Sequence, residues 1–321
     1  MPARPLRRCL VAALALALLA AAIGAAMDRA PGVAALLALL QVHVSALAAA
    51  LGLAAFAAGW RGPALAAGVA AMLGAAGAAE PLLRPAERPA APGPTLAIAF
   101  ATANLNLGNP DLDALREALA GLGAEVLVTQ ETPRALLDAP GALAEIFPHR
   151  RRSDLNGGDG GPAIWSRFPL RHSGPGNAEG PHPSHLIVTL DLPEGGRLQV
   201  MTLHFAWPAF DGQARQVADF ARFRTHLSPP LVVAGDFNAP PWSRAIRQVE
   251  RVAGVQAPGG WRPTWVGGAA DVPLRLPRWA GLPIDHLAAS PGIGIREIGR
   301  TSLPGSDHLA LTAELRVPLN P

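Results

Sequence analysis

The sequence predicts an α+β domain in which two β-sheets pack together with helices outside them, preceded by N-terminal transmembrane helices. The first observation is that strand-like apolar segments outnumber helix-like segments between residues 95 and 318. The second is that several of these strands follow one another without an intervening helix, a pattern typical of α+β layering. The third is that long uncharged, mostly apolar runs fill the first 80 residues.

The N-terminal runs have the lengths of membrane-spanning helices. Runs of 19, 31 and 18 residues without a charge follow Arg8, Arg29 and Arg61. A helix needs about 20 apolar residues to cross a bilayer. We therefore predict a membrane anchor over residues 1–80, with two to three transmembrane helices at about 9–27, 33–58 and 63–79. A cleaved signal peptide would explain only the first run, and the third, rich in Ala and Gly, is the weakest.

The distribution of Arg predicts the side of the membrane on which the domain lies. Arg4, Arg7 and Arg8 precede the first run, so the positive-inside tendency places the N-terminus in the cytoplasm. Three spans would put the C-terminal domain outside the cytoplasm, whereas two would leave it inside. We favour three spans, and therefore an extracytoplasmic domain held at the bacterial inner (plasma) membrane.

The charge of the chain argues against a general polyanion-binding surface on the soluble part. The chain has no Lys and no Tyr, so its sequence pI of about 10.6 reflects a small excess of Arg. Residues 95–321 hold 20 Arg and 21 acidic residues, which leaves them nearly neutral. The only cysteine, Cys9, has no partner within the chain, so no intrachain disulfide staples the fold.

A Pro- and Ala-rich linker, residues 81–94, leads into a domain over residues 95–317 that is large enough for one substantial core. Its first segment, TLAIAFATANL, is strand-like. Asp111 is then positioned to cap a helix with one apolar face, made of Leu112, Leu115, Leu119 and Leu122. EVLVTQE is again strand-like.

The remaining elements follow from the same criteria in chain order. PAIWSR, SHLIVTLDL and RLQVMTLHF are typical of strands. Residues 212–227 place Val217, Phe220 and Leu227 in a helix-like pattern. LVVAGDF is a short β-branched run that two prolines end, which predicts a buried strand. IDHLAAS and HLALTAELRV complete the set.

Polar side chains follow four of the predicted strands. Asn104 follows the first strand, Glu131 the second, His204 a third, and Asp236 and Asn238 a fourth. Two doublets stand beside the late apolar runs, Asp285-His286 and Asp307-His308. Singly, such residues form turns or cap helices. Together they can bind a hard divalent cation through oxygen and hold phosphate through nitrogen, so we expect them to converge on one site.

These residues occur in an ordered series of motifs: ATANLN, LVTQET, GGPAIWSRFPL, TLHF, GDFNAPPWS, IDHLAAS and GSDHLAL. The series resembles the endonuclease/exonuclease/phosphatase family over residues 95–317. The resemblance implies a four-layered α/β sandwich and a phosphoric ester hydrolase that depends on Mg²⁺, or on Mn²⁺. The apolar N-terminus is similar in composition to that of membrane-anchored bacterial members.

The resemblance also implies which residues bind the metal. Glu131 would be the principal ligand, because a carboxylate on a hard cation satisfies both charge and geometry. Asn104 would support the metal or the phosphate, and Asp307 would assist the metal or the water.

The remaining site residues would act on the water and on the phosphate. Asp236 would orient or deprotonate the attacking water. Asp285 would pair with His308, so that the imidazolium donates to the phosphate oxygen where charge accumulates. Asn238 and His204 would be further phosphate contacts. The implied reaction is in-line attack of an activated water on a phosphate ester, without a covalent intermediate.

The substrate is left open as nucleic acid, lipid head group or small phosphodiester. The absence of Tyr removes a residue that some family members place near the phosphate, which makes apurinic-site repair a less expected role. Arg150–Arg152, in a predicted flexible loop, could contact phosphates. Trp207 and Trp242 could stack on a base, touch a lipid surface, or line the domain's own layers.

The sequence leaves one main alternative to the hydrolase. A catalytically idle, membrane-tethered module that binds phosphate or nucleic acid is the main alternative, although no expected acid is missing. A Ser-His-Asp hydrolase is disfavoured, because Ser306, Asp307 and His308 are adjacent and no G-x-S-x-G motif is present. The expected partners are the lipid bilayer and a phosphate-ester substrate, with no sign of an obligate protein partner.

Overall fold

The structure, a computed structural model, describes Val11 and residues 33–153, 159–174, 184–208, 211–268 and 273–319. The first predicted membrane segment, 9–27, lies outside the described residues except for Val11. Within the described ranges the strands are β1 (Thr95–Asn104), β2 (Val126–Gln130), β3 (His149–Arg152), β4 (Ala163–Ser166), β5 (Leu170–His172), β6 (Ser184–Asp191), β7 (Arg197–His204), β8 (Leu231–Asp236), β9 (Asp285–Ala289), β10 (Gly294–Ser302) and β11 (Leu309–Pro318). The helices of the same ranges are α1 (Val33–Leu39), α2 (Gln41–Ala57), α3 (Arg61–Leu83), α4 (Leu112–Ala120), α5 (Arg134–Asp138), α6 (Leu143–Ile146), α7 (Asp211–Asp219) and α8 (Arg244–Ala253), with 3₁₀ segments at Pro193–Gly195 and Phe220–His226.

The strands form two mixed sheets. The six-stranded sheet has the order β10-β11-β1-β2-β4-β3, and the five-stranded sheet has the order β5-β6-β7-β8-β9. Strands β1 and β2 are parallel, with Asn104 beside Gln130, and β7 and β8 are parallel, with His204 beside Asp236. Because parallel neighbours end at the same edge of a sheet, the polar residues that follow these strands are brought side by side.

The core has the layers of a four-layered sandwich. Val128 of β2 and Val232 of β8 belong to one buried cluster between the two sheets. Their neighbours Leu127 and Val233 point to the opposite faces, as the two-residue period of a strand requires. Helix α4 covers Leu127 on the first sheet, and α8 covers Val233 on the second. The predicted fold class, two packed mixed sheets flanked by helices, is therefore confirmed.

Most predicted elements of the domain are present, with local differences. Asp111 caps α4, because its Oδ1 accepts a 2.9 Å hydrogen bond from the backbone N–H of Ala114. The predicted helix over 212–227 is α-helical to Asp219 and 3₁₀ beyond it. Residues 150–152, expected in a flexible loop, pair with β4 in the edge strand β3. Strands β5 and β10 were not predicted; β5 is only three residues long, and β10 contains a register shift.

The second predicted membrane segment, 33–58, forms two helices rather than one. Leu39 of α1 is buried against Leu282 of the domain. The carbonyl oxygen of Ala38 accepts a 2.7 Å hydrogen bond from Trp242 Nε1. Helix α1 is therefore fixed to the domain, and α2 begins next to the domain surface.

Helices α2 and α3 form a hairpin that packs through small residues. Gln41 Nε2 donates a 2.8 Å hydrogen bond to the carbonyl of Gly74, and a side chain at Gly74 would overlap Ser45 Oγ. Helix α3, with 23 residues, is long and apolar enough to cross a membrane, whereas α2 is apolar but has 17 residues. Large apolar side chains are exposed along the hairpin, including Leu53, Phe56, Leu65 and Met72.

The segment after α3, predicted as an extended linker, lies against the domain. Arg84 forms an ion pair with Glu250 of α8. The backbone of Arg88 pairs with that of Ile295 in β10 through hydrogen bonds of 2.9 and 2.8 Å. The hairpin is thus connected to the domain by a segment with its own side-chain and backbone contacts.

Candidate active site

The backbone after β8 and β2 holds polar residues in an unusual conformation. Gly235, before the buried Asp236, has a φ of +147°, and a side chain there would overlap the carbonyl oxygen of Leu203. Asn238 has a φ of +47°, and Glu131, which follows β2, has a φ of +50°. Residues other than glycine rarely adopt this left-handed conformation, and those that do are concentrated at functional sites. The chain therefore holds Glu131 and Asn238 in strained backbone.

Asn104 connects the ends of the two sheets. Its Nδ2 donates a 2.9 Å hydrogen bond to Glu131 Oε1 and a 3.0 Å hydrogen bond to Asp236 Oδ2. Its Oδ1 accepts from the backbone N–H of Asn106 at 3.0 Å. The backbone N–H of Leu107 donates to the other oxygen of Glu131 at 3.1 Å. One amide thus holds carboxylates from different sheets, and it presents its nitrogen to them.

His204 and Asn238 also lie beside Asp236. His204 Nε2 is 3.5 Å from Asp236 Oδ2 and 3.9 Å from Glu131 Oε1. Asn238 Nδ2 is 3.3 Å from His204 Nε2 and donates to the carbonyl of Phe205 at 2.9 Å. The backbone N–H of Asn238 donates to Asp236 Oδ1 at 2.8 Å. Asp236 therefore both forms the turn after β8 and presents its second oxygen to the site.

His308 approaches Asp236 from the start of β11. Its Nδ1 lies 2.7 Å from Asp285 Oδ2, and its Nε2 lies 3.8 Å from Asp236 Oδ2. Asp285 is the register partner of Asp236, and its backbone N–H donates to Thr264 Oγ1 at 3.0 Å. The backbone N–H of His308 donates to Ser306 Oγ at 3.0 Å. The imidazole is therefore held with Nε2 directed toward Asp236.

The buried charges have perturbed pKa values. Burial and the neighbouring charge of Asp285 raise the pKa of Asp236 to about 6, although His308 and His204 oppose this shift. Burial alone would lower the pKa of His308, but the charges of Asp285 and Asp236 and the hydrogen bond to Asp285 raise it to about 10. At neutral pH the site therefore contains an imidazolium beside a carboxylate that can accept a proton.

One open cleft with a volume of about 600 Å³ is lined by Glu131, His204, Asp236, Asn238 and His308. Asp307 lies in its wall, where Oδ2 accepts a 2.7 Å hydrogen bond from Trp265 Nε1. Trp207, which is partly exposed, forms part of another wall. The cleft is large enough for a phosphate with an attached organic group, and its lining combines polar groups with aromatic side chains.

Known proteins resemble this chain both in sequence motifs and in fold. A family model described as the Endonuclease/Exonuclease/phosphatase family matches residues 101–308, well over half of the chain. The chain belongs to the endonuclease/exonuclease/phosphatase family. No sequence among curated proteins matches it significantly.

Solved structures of the endonuclease/exonuclease/phosphatase type have the same fold. One from Beutenbergia cavernae DSM 12333 is 19% identical with a TM-score of 0.53, over 69% of this chain and 72% of that chain. One from Bacteroides vulgatus is 14% identical with a TM-score of 0.51, over 70% and 100%. TDP2 from D. rerio, complexed with single strand DNA product, is 17% identical with a TM-score of 0.51, over 68% and 98%. At these identities the likeness is one of fold.

Enzymes of the endonuclease/exonuclease/phosphatase family are phosphoric ester hydrolases that generally depend on a divalent metal, and the cleft contains donors suited to one. Asp236, Asp285 and His308 form a buried group whose ligand atoms lie within 4.8 Å of one another. Within this group, His308 Nδ1 and Asp285 Oδ2 already bond to each other at 2.7 Å. For Glu131, burial works to raise the pKa, but the hydrogen bond from Asn104 and the charge of His204 lower it below its usual value. Glu131 is therefore an ionised oxygen donor facing the cleft.

The structure brings all eight sequence-predicted site residues of this family member to one place: Asn104, Glu131, His204, Asp236, Asn238, Asp285, Asp307 and His308. Trp207 also lines the cleft, whereas Trp242 is bonded to α1. His286, expected to be structural, is buried, with Nε2 2.7 Å from the carbonyl of Ala239. Two residues that support the site, Trp265 and Thr264, are not predictable from the sequence. Both lie in an irregular segment without a motif, and their contacts with Asp307 and Asp285 exist only in the folded chain.

Proposed function

We propose that the protein is a membrane-anchored, divalent-metal-dependent hydrolase that cleaves phosphate diesters by in-line attack of an activated water. The observation that carries this proposal is the convergence on Asp236. Its Oδ2 is 3.0 Å from Asn104 Nδ2, 3.5 Å from His204 Nε2 and 3.8 Å from His308 Nε2. These groups come from both sheets, and one cleft is lined by Asp236, His204 and His308.

Asp236 is the group that would accept a proton from the attacking water. Its pKa of about 6 leaves it largely ionised at neutral pH, yet basic enough to take up a proton as the water attacks. The hydrogen bonds from Asn104 and from the backbone of Asn238 hold the carboxylate in one orientation. Positioning of this kind lowers the barrier because the water and the phosphorus are already aligned.

His308 is the group that would donate to the phosphate. It remains an imidazolium at neutral pH, since its pKa is about 10, and Asp285 fixes its orientation. A preorganised donor is most effective where negative charge develops in the transition state. His204 and Asn238, which also lie beside Asp236, would contact other phosphate oxygens.

The charge of the cleft supports a requirement for a metal. Asp236, Asp285, Glu131 and Asp307 bring four carboxyl groups, against one strongly basic imidazole, His308, in the same region. A phosphate diester would be repelled by that surplus of carboxylates unless a cation joined the site. Glu131 and Asp307 would hold Mg²⁺ or Mn²⁺, which would neutralise charge on the phosphate oxygens when bound.

Asn104 would take part in metal binding only after its side-chain amide rotates so that Oδ1 and Nδ2 exchange places. At present its Nδ2 faces both carboxylates and its Oδ1 accepts from Asn106. Its amide oxygen would have to face the cation for Asn104 to act as a ligand. We therefore propose Asn104 first as the link between Glu131 and Asp236, and as a metal ligand only with that rotation.

The proposed anchor is the α2–α3 hairpin together with residues before it. Helix α3 has the length and composition of a spanning helix. Both helices expose large apolar side chains, whose contact with water is unfavourable. A bilayer would cover them. Membrane placement favours a phosphodiester that reaches the bilayer surface, either a lipid head group or a nucleic acid outside it.

The test uses the full chain in lipid nanodiscs, with Mg²⁺, with Mn²⁺ or with EDTA. Substrates are bis(p-nitrophenyl) phosphate, single-stranded DNA, RNA and phospholipids. We expect hydrolysis that requires metal and falls about 10²- to 10⁴-fold in Asp236→Asn, the usual range for loss of a general base. Hydrolysis that persists in EDTA, or in Asp236→Asn, would contradict the proposal.

Metal binding is measured separately by calorimetry. Glu131→Gln should weaken Mg²⁺ binding at least about tenfold, because it removes a charged ligand. Glu297→Gln is the matched control, since Glu297 also has a positive φ, of 52°, but lies on β10 away from the cleft. A folded protein that binds phosphate esters but hydrolyses none of the substrates would support an idle binding module instead.

A further inference from the structure

The segment before β9, residues 273–282, exposes two large apolar side chains. Leu274 is 71% exposed and Trp279 is 74% exposed. A single exposed apolar residue is ordinary on a protein surface. Here the two flank Arg275 and Arg278, which are exposed as well. The combination of a protruding indole with neighbouring guanidinium groups is typical of surfaces that meet the polar–apolar boundary of a bilayer.

Four arginines gather on this surface, and the described part of the chain places no carboxylate in contact with them. Arg275 and Arg278 both donate to Ser302 Oγ, at 3.4 and 2.9 Å. Arg300 Nη1 donates to the carbonyl of Pro263 at 2.7 Å. Arg262 donates to backbone carbonyls, one of them that of Ala86 at 3.1 Å. Among the described residues, none of the four forms an ion pair with an acidic side chain.

The arginines are close enough to affect one another. Burial and the charge of Arg300 lower the pKa of Arg262, and burial and the charge of Arg278 lower the pKa of Arg300. Such mutual repulsion is relieved when an anion binds between the guanidinium groups. The surface is therefore defined by six residues: Arg262, Leu274, Arg275, Arg278, Trp279 and Arg300. We refer to it below as the Arg/Trp surface.

The Arg/Trp surface lies beside the first turn of α2. His43 Nε2 is 3.0 Å from the carbonyl of Ala280, and its ring contacts that of Trp261 with centroids 5.6 Å apart. Trp261 Nε1 in turn donates to the carbonyl of Trp279 at 2.9 Å. The surface therefore borders the end of the hairpin that lies next to the domain. If the hairpin is in a bilayer, the end of the hairpin beside the domain lies at the depth of the lipid head groups.

The same segment continues into the wall of the cleft. Leu276 pairs with Val266 through a 2.7 Å backbone hydrogen bond, and Trp265 pairs with Leu282. Trp265 also packs against the cluster around Leu39 of α1. The wall that carries the Trp265–Asp307 hydrogen bond is thus joined by backbone pairing to the segment that presents most of the Arg/Trp surface.

We propose that the Arg/Trp surface binds the phosphate groups of anionic phospholipids and so holds the mouth of the cleft at the bilayer surface. The proposal rests on the membrane placement of the α2–α3 hairpin and not on hydrolysis. A lipid surface fits better than a nucleic acid for two reasons. Leu274 and Trp279 protrude next to the arginines, and the apolar hairpin begins directly beside them.

The experiment measures hydrogen–deuterium exchange of the full chain in nanodiscs, read over residues 273–282. The nanodiscs contain phosphatidylcholine alone or phosphatidylcholine with phosphatidylglycerol. We expect phosphatidylglycerol to slow exchange in this segment, and Arg275→Gln/Arg278→Gln to reduce that protection at least about tenfold, since each arginine near an anionic surface contributes roughly fivefold. High salt should weaken the effect.

The matched control is Arg167→Gln/Arg197→Gln. Both arginines are exposed, and they lie at the opposite end of the sheets from the cleft. In this control, phosphatidylglycerol should still slow exchange over residues 273–282, although the control loses two positive charges, as Arg275→Gln/Arg278→Gln does. Absence of protection by phosphatidylglycerol, or equal loss in the control pair, would overturn the proposal.

Two further arms separate the alternatives. A single-stranded oligonucleotide added to phosphatidylcholine nanodiscs should not protect residues 273–282, and protection by it alone would assign the surface to nucleic acid and overturn the lipid proposal. Hydrolysis of bis(p-nitrophenyl) phosphate is followed in parallel for Arg275→Gln/Arg278→Gln, which leaves the cleft groups intact. If neither the natural chain nor the variant hydrolyses it, the proposed function is wrong. The hydrogen–deuterium exchange of residues 273–282 still decides whether the surface binds lipid.

Discussion

Neighbouring residues on one strand have opposite environments in this site. Asp285 bonds to His308, which lines the cleft, whereas His286, the next residue of β9, packs against Phe237 with ring centroids 5.2 Å apart. The pKa of His308 is raised to about 10, while burial lowers the pKa of His286. One histidine is therefore kept charged for the site and the other is kept neutral for the core. The two-residue period of β9 causes this difference, because it points Asp285, the partner of His308, and His286 to opposite faces of the sheet.

Asp285 should act through His308, as a positioning residue. Asp285→Asn keeps the size of the side chain but removes the charge that favours the imidazolium. We expect kcat for bis(p-nitrophenyl) phosphate to fall about 10²-fold with little change in KM, a typical effect on acid–base function. Asp191→Asn, which removes only an exposed ion pair with Arg171, should change kcat less than about twofold. An equal loss in both variants, or a change confined to KM, would contradict this role.

His286 should make stability depend on pH. Because its pKa is lowered in the folded state, protons bind more readily to the unfolded chain, and its contribution is complete only above the unfolded pKa of about 6.5. Below that pH the free energy of unfolding should fall, by up to about 1.4 kcal/mol per pH unit from this group. Denaturant titrations at pH 8 and pH 5 should show a smaller difference for His286→Gln than for the natural chain. His149→Gln, on the edge strand β3, should retain the full difference.

At the scale of elements, the close approach of β7 and β8 depends on one glycine. Gly235→Ala would overlap the carbonyl of Leu203 and would force alanine to a φ of +147°. We expect a loss of at least about 3 kcal/mol in the free energy of unfolding, because backbone strain and steric overlap add. Gly254→Ala is the control, since Gly254 ends α8 at a φ of +64° with no atom near its Cβ position, and it should cost about 1 kcal/mol. Denaturation curves for the two variants test the difference.

The elements that could be predicted from the sequence are those whose signal is local. The cap at Asp111 and the buried strand that ends at Asp236 carry their own residue patterns, and both are present. Edge strand β3 reads HRRR, which has no apolar alternation, and it pairs only because β4 lies beside it. Trp265 likewise reaches the cleft through tertiary contacts that no local pattern encodes. In the site, motif order predicted which residues converge, but the orientation of the Asn104 amide depends on the carboxylates around it.

At the scale of the whole molecule, the hairpin and the domain form a connected unit. Helix α2 begins where α1 is fixed to the domain, and the segment after α3 returns to the domain through Arg84 and Glu250. The turn between α2 and α3 therefore lies at the far end of the hairpin from the domain. At 1.5 Å per residue, α2 is about 25 Å long and α3 about 35 Å, close to the thickness of the hydrocarbon core.

If the hairpin crosses the membrane, its turn and the domain lie on opposite sides. The natural Cys9 is first replaced by Ser, so that single cysteines can be introduced at Ala58, in the turn, and at Arg296, on the domain surface. A membrane-impermeant thiol reagent added to sealed, oriented vesicles should label only one of Ala58→Cys and Arg296→Cys, and inverted vesicles should reverse the pattern. Labelling of both from the same side would mean that the hairpin lies on the bilayer surface. If Arg296→Cys is labelled from the outside of intact spheroplasts, the cleft faces out of the cytoplasm, as the distribution of arginines before the first apolar run predicts.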